Sequence, residues 1–471
     1  MKTGFCLAWA VVLSLVGASW GAEPWATFRG NSERTGCEEG QTGPVAPHVL
    51  WVLPSQEHFL ASPVPGGDRV YVSGLGAFNV SQFYCLAADP KAPQRILWSK
   101  TTPYLKLPVV SSPAQFEDKL VFGDGMHQTD GAVLHCLRAE EGLPLWELAL
   151  SGKLVHLEGS PTVAQRQVYL GGGSAGVLCV DPDHVTLDGK EQDLPPIQKI
   201  LEQKWKDLQA EYEQEKKKDP DLAVPPNEDQ LPKPVPRLVW QQGREKWHVD
   251  APVAVVGDRV LVCSAYLDKE QLGDRALYCL DAKTGDIRWR APLAINPWGG
   301  PSVSGNVIVV GGSTIGYDPK EVQSAKGEVT AFDLDGKLLW RKPVTGGVLS
   351  CVALAHGLAI ATATDGKVRA FDLAKGERRW IYDAGSPFFA PVAVAGEVVY
   401  AGDLKGVVHA LNLADGKRRW TLDLGTHPDV KAPGMIYGGP AVQGGRLFVA
   451  TCNLEGPNAQ KPTAVICIGE K

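Results

Sequence analysis

Cysteine, histidine and aspartate are the side chains with which this sequence could do chemistry, and their spacing argues against most of it. The 471 residues include ten cysteines and ten histidines. There is no Cys-x-x-Cys, no Cys-x-x-Cys-His and no adjacent Cys-Cys, which disfavours a zinc ribbon, a thioredoxin-like redox pair and c-type haem attachment. Five cysteines recur at one place in an apolar run: Tyr-Cys85-Leu, His-Cys136-Leu, Leu-Cys179-Val, Tyr-Cys279-Leu and Ile-Cys467-Ile. Ala331, Ala370 and Ala410 hold that place elsewhere, so it reads as a tight buried strand position where a thiol serves as a small hydrophobe. One disulfide among Cys37, Cys263, Cys351 and Cys452 stays open in an oxidising compartment. His127, His356, His409 and His427 share no metal-ligand spacing, and no metal site is expected. His409 falls in a strand, aligned with Arg369 and Thr330, at a place expected to face solvent. Asp124, Asp365 and Asp403 invite an acid–base reading, but all three stand in turns, two of them as Asp-Gly pairs, and read as turn residues. With no nucleophile elbow, HExxH pair or P-loop, no catalytic residue is assigned.

The elements that must position these residues form a repeat. EVTAFDLDGKLLW (328–340), KVRAFDLAKGERRW (367–380) and VVHALNLADGKRRW (407–420) align directly, and LYCLDAKTGDIRW (277–289) and LHCLRAEEGLPLW (134–146) join them. Each is an alternating strand, then a turn with Gly four residues before Trp. Upstream lie further hairpin signals, as in APVAVAGEVVYAGD (390–403). The unit is four short strands, A to D, ending at the Trp. Trp98, Trp146, Trp289, Trp340, Trp380 and Trp420 are clear ends, with a period of roughly 40–50 residues, that of a four-stranded propeller blade. Between Trp146 and Trp289 the end is Trp240 or Trp247. Gly243, four residues before Trp247, favours Trp247, whereas the distance to the next Ala251-Pro252 favours Trp240, which is taken. Trp51 has no strands A to C before it, and Trp420 is followed by three strands and no Trp. The two ends of the chain therefore share a blade, leaving no open edge. The prediction is an all-β, eight-bladed β-propeller closed by an N-terminal strand. Its eight Trp are structural: each buries a large apolar area and has one N–H to place, and the turn Gly permits positive φ.

Residues 1–21 read as a secretory signal peptide, with Lys2, a short apolar run and small residues, and cleavage after Ala18 or Gly21. No cysteine stands at a lipoprotein-type cleavage point, and no later stretch is long and apolar enough to span a membrane. The expected location is periplasmic or secreted. The propeller takes residues 22–471 as a single domain, expected to be monomeric. A formal net charge of −6 with mixed signs gives no basic footprint for nucleic acid. Residues 184–236 replace a short C–D turn in the blade ending at Trp240. Within them Ile197, Ile200, Leu201, Trp205, Leu208 and Tyr212 form the stripe of an amphipathic helix. Asp193 is placed to cap it and Asp219-Pro220 to stop it. The Pro-rich tail reads as a linker. The stripe is expected to pack on the flank of the ring, with a partner-docking arm as the alternative. The face carrying the B–C and D–A loops is the expected working face, with Trp298, Tyr317, Phe388, Phe389 and Tyr437 as candidate ligand-binding aromatics.

Leu280-Asp281-Ala282-Lys283-Thr284-Gly285 through Trp289, with the opening Trp25-Ala-Thr-Phe28-Arg29-Gly30, resembles the PQQ-binding-like β-propeller repeat family of secreted bacterial proteins. The resemblance covers residues 25–471 and implies the fold. It leaves function between quinoprotein alcohol dehydrogenases and an outer-membrane assembly propeller lipoprotein, which share the repeat. A dehydrogenase of this kind uses PQQ with Ca²⁺ and a carboxylate base. The adjacent Cys-Cys pair found over the quinone in many of these enzymes is missing here, and no Glu/Asn/Asp constellation stands out. The expectation is therefore a non-catalytic binding scaffold for an unidentified protein or envelope partner, with no cofactor. A PQQ-dependent dehydrogenase and a carbohydrate-binding propeller are the alternatives.

Overall fold

A computed structural model describes residues 25–38, 40–454 and 458–470; the expected signal peptide lies outside the described residues. Eight antiparallel sheets follow one another, each built from strands in the order A-B-C-D. Blades are numbered here by the order of their terminal Trp. Blade 1 joins His48–Ser55 as strand D to Ala441–Gln443, Arg446–Ala450 and Thr463–Gly469. In it Trp51 pairs with Cys467 and Leu53 with Val465, so the ring is closed from its two ends as the repeat predicted.

The repeated Cys or Ala is the strand C residue directly opposite the Trp. Cys85 faces Trp98, Cys136 faces Trp146, Cys179 faces Trp240, Cys279 faces Trp289, and Ala331, Ala370 and Ala410 face Trp340, Trp380 and Trp420. This register decides for Trp240. Trp247 belongs to the following loop, where it packs on Tyr278 with ring centroids 4.1 Å apart. The five strand cysteines are fully buried, and no disulfide links any of the described cysteines.

Each indole N–H crosses to the next blade. Trp51 donates to Ala88 O, Trp98 to Ala139 O, Trp146 to Pro182 O and Trp240 to Ala282 O, over 3.0–3.2 Å. Trp289 donates to Leu334 O, Trp340 to Leu373 O and Trp380 to Leu413 O, over 2.8–3.0 Å. Trp420 reaches Pro44 O at 3.3 Å, at the entrance to the closing strand. Five of these indoles lie on the turn glycine of the next blade. A Cβ on Gly142, Gly285, Gly336, Gly376 or Gly416 would stand 2.5–2.9 Å from the ring, and each of these residues has φ between +67° and +82°. One glycine thus meets two demands, a left-handed turn and room for the neighbouring Trp.

Residues 25–38 run across the inner strands. Ala26, Ser32, Glu33, Thr35 and Gly36 accept backbone bonds from Gln115, Val255, Val303, Leu354 and Val394, each in a strand A. The Arg34 guanidinium, fully buried, donates to Ser160 O, Pro161 O and Val253 O. Arg29, also buried, donates to Val392 O. Burial pulls both guanidinium pKa values down to about 10. This segment ties five or more blades together across the middle of the ring.

The insertion packs on the flank, as expected of its apolar stripe. Strand C of blade 4 runs on to Leu187 and turns back as Lys190–Asp193, and the helix α1 follows at Leu194–Lys218. Leu194, Ile197 and Leu201 are buried, and Trp205 and Leu208 are partly buried against the same cluster of blades 3 and 4. Ile200, expected in the stripe, is exposed. Asp193 occupies the N-cap position without making a capping bond; its carboxylate lies 3.2 Å from His184 Nε2 instead. The tail returns along the flank, held by Lys100–Glu228 at 2.5 Å and Lys106–Asp229 at 3.0 Å. No helix among the described residues is long and apolar enough to cross a membrane.

Candidate functional site

The A–B and C–D turns lie at one end of the ring, and the B–C and D–A loops at the other. Three groups of side chains gather on the loop face. In the first, Asp124, Asp365 and Asp403 at the B–C turns do more than turn the chain. Each reaches a basic residue in strand C of its own blade: Asp124 Oδ2 lies 2.9 Å from His135 Nε2, Asp403 Oδ2 lies 3.2 Å from His409 Nε2, and Asp365 pairs with Arg369. His409 is therefore buried, not solvent-facing as the strand alternation suggested, and Tyr382 Oη meets its Nδ1 at 3.0 Å. The cover comes from the neighbouring blade: Tyr382, in its strand D, and Phe388, in the loop that follows, both pack on His409. Burial opposes protonation of His135, but the hydrogen bond it donates to Asp124 and its ion pair with Glu147, 3.7 Å from Nδ1, prevail and hold its pKa up at about 9.

The second group is aromatic. Phe389 makes edge-to-face contacts with Tyr317 (5.8 Å, 88°) and Tyr437 (5.2 Å, 87°). Phe388 turns away onto His409, centroids 5.8 Å apart. Both phenylalanines are 1% exposed, so neither offers a stacking surface. Tyr317 remains half exposed and donates its hydroxyl to Leu349 O at 2.5 Å. Trp298 is partly buried in the loop between blades 5 and 6, its indole N–H without an acceptor. Nearby on the same face, an open cleft of about 880 Å³ separates blades 6 and 7, walled by Thr345, Thr364, Asp365, Asp383 and Pro387.

The third group was missed in the sequence. His127 (B–C loop of blade 3), His156 (loop from blade 3 to 4), and His248 and Asp250 (loop from blade 4 to 5) converge so that one ligand atom from each lies within 4.8 Å of the others. His248 Nε2 is 2.8 Å from Asp250 Oδ2, and His156 Nε2 is 3.4 Å from Oδ1. Burial lowers the pKa of His156 to about 4, while the Asp250 charge raises that of His248 against the same desolvation. Burial and the Asp250 charge push the Glu158 carboxyl well above its usual range, and the imidazoles hold Asp250 low despite burial. No spacing motif marks these residues, because each loop supplies only one or two of them and the ring does the rest.

Comparison with known proteins places this architecture. The PQQ_2 family model, described as outer membrane protein assembly factor BamB, matches residues 46–187, 236–321 and 299–458. The chain belongs to this family. The stretch between the first two matches, 188–235, coincides with the insertion. Among curated relatives, BamB of Burkholderia pseudomallei (strain K96243) is 34% identical over 132 residues, 28% of this chain and 29% of the relative. BamB of Nitrosomonas eutropha (strain DSM 101675 / C91 / Nm57) is 32% identical over 114 residues, 24% of this chain and 25% of the relative. The chain thus aligns with less than a third of the length of these relatives. Among solved structures, BamB from Moraxella catarrhalis superposes with a TM-score of 0.58 at 14% identity, covering 89% of this chain and 99% of that one. A europium-containing methanol dehydrogenase gives 0.61 at 15% identity, covering 95% and 98%. At such identities these superpositions show the fold alone.

Proposed function

We propose that the protein is a non-catalytic scaffold on the periplasmic side of the cell envelope, presenting its loop face to a protein of outer-membrane assembly. The observation that carries this reading is the match of the BamB family model over most of the propeller. The chemistry of the ring supports it. Ca²⁺ takes six to eight hard oxygen ligands, whereas the candidate metal-ligand group among the described His, Cys, Asp and Glu residues is three imidazoles and one carboxylate. The middle of the ring, where inner strands of several blades converge, is occupied by residues 25–38. These residues do not fit a calcium-bound quinone, and no catalytic step is assigned. The test is affinity purification of the protein from solubilised envelope of its source organism, beside titration of the pure protein with PQQ and Ca²⁺. The expected result is a stoichiometric outer-membrane assembly protein in the first and no dye reduction with alcohols in the second. Turnover with PQQ, or an eluate without such a protein, overturns the reading.

A further inference from the structure

We propose that His127, His156, His248 and Asp250 form a binding site for a first-row transition-metal ion of Zn²⁺ type, stapling blades 3, 4 and 5 on the loop face. His156 and His248 are 0% exposed, yet Nδ1 of each ring has no hydrogen-bond partner, and the Nε2 atoms meet only the Asp250 carboxylate, at 3.4 and 2.8 Å. Two buried ring nitrogens left without partners in one place are costly, since each forfeits its hydration without recompense. A cation shared among them removes that cost for the atoms that face it.

The geometry suits such an ion. The three imidazoles meet pairwise at centroid distances of 5.3–5.6 Å and steep angles, so their edges converge. A tetrahedral site with bonds of about 2.0–2.1 Å sets its donors about 3.3 Å apart. The His156–Asp250 distance of 3.4 Å already matches, and the whole set needs to contract only from 4.8 Å. Three nitrogens and one oxygen select Zn²⁺, Cu²⁺, Ni²⁺ or Co²⁺ over Ca²⁺ or Mg²⁺. Ligand support is present as well. Glu158 Oε1 accepts the backbone N–H of His127 at 2.5 Å and lies 3.7 Å from His156 Nδ1. Ser264 Oγ accepts the backbone N–H of His248 at 3.2 Å. Both fix the loops that carry ligands, the outer-shell role common at metal sites. His127 is partly exposed, so the ion has an entry path from the loop face.

The site is independent of the scaffold reading, and so is its test. The chelator-treated full-length protein is titrated with Zn²⁺ by calorimetry and with Co²⁺ by visible absorbance, which reports tetrahedral coordination. One equivalent is expected to bind, with a rise in the thermal midpoint. His127→Ala, in a loop and partly exposed, keeps the fold and is expected to lose about 100-fold or more in affinity, beyond the 10–100-fold typical of an outer-shell partner. His156→Ala and Asp250→Asn are expected to do the same. His356→Ala, on a turn at the opposite face, is expected to change nothing. Absence of a stoichiometric site in the wild-type protein, or equal binding by folded His127→Ala, overturns the proposal.

Discussion

The contact between Trp380 and Gly416 offers a test of how the ring is held shut. Trp380 lies in blade 7 and is 7% exposed; its N–H donates to Leu413 O of blade 8 at 2.8 Å. Trp380→Phe keeps most of the packing but leaves that buried carbonyl without its donor, a loss of about 1–2 kcal/mol. Trp380→Ala adds a cavity, for a total of about 3–5 kcal/mol. Gly416→Ala attacks the same contact from the other side. Its φ of +69° costs a side chain about 1–2 kcal/mol, and the new Cβ would stand 2.5 Å from Trp380 Cε3. The indole is fixed by its hydrogen bond and cannot swing away, so overpacking adds about 1–3 kcal/mol. In the double variant Trp380→Ala/Gly416→Ala the clash disappears while the φ penalty remains. Denaturant unfolding of the four proteins is therefore expected to be non-additive, with the double variant more stable than the summed singles by about 1 kcal/mol or more. Strict additivity would refute the inter-blade lock, because the two residues would then be acting separately.

Further expectations follow from other contacts. The folded pKa of His135, about 9, lies above the ordinary value of 6.5. Its protonation thus stabilises the fold fully below about pH 6.5 and ceases to as pH rises through 9, an effect on the order of 3 kcal/mol. The stability gap between wild type and His135→Gln should accordingly shrink between about pH 6 and pH 10 by chemical denaturation; a constant gap would contradict a charged His135. Arg34→Met should cost about 2–4 kcal/mol, because Ser160 O, Pro161 O and Val253 O lose a buried donor. Faster proteolysis within residues 25–43 should accompany it. Replacing Lys190–Pro234 by a short Gly-containing turn should leave a folded ring of lower stability, since Leu194, Ile197 and Leu201 cover the flank of blades 3 and 4. Loss of cooperative unfolding in that variant would show that the insertion is part of the ring.

The blades were legible because one contact recurs eight times. The Trp and the small residue opposite it recur in every blade, and five of the indoles also rest on the turn glycine of the next blade. The choice between Trp240 and Trp247 was close because Gly243 imitates the turn glycine; a Cβ there would meet Trp247 itself, within a single loop. The histidine cluster was invisible for the converse reason. Its ligands come from three loops that no local pattern relates, and only closure of the ring makes them neighbours. His409 was misplaced because strand alternation states which side a residue faces, not whether the neighbouring blade covers that side. Asp193 reached the N-cap position that its type favours, but nearby His184 offered its carboxylate an alternative.

The scaffold reading is tested most directly by asking which face touches another protein in the envelope. A photo-crosslinking residue at Tyr317, on the loop face, is compared in living cells with one at Glu397, in an A–B turn at the opposite end. Both positions are exposed, so both can react. The account predicts a discrete adduct with an outer-membrane assembly protein from position 317 and none from 397. The same adduct from 397 alone, or no such adduct from either position, would contradict it.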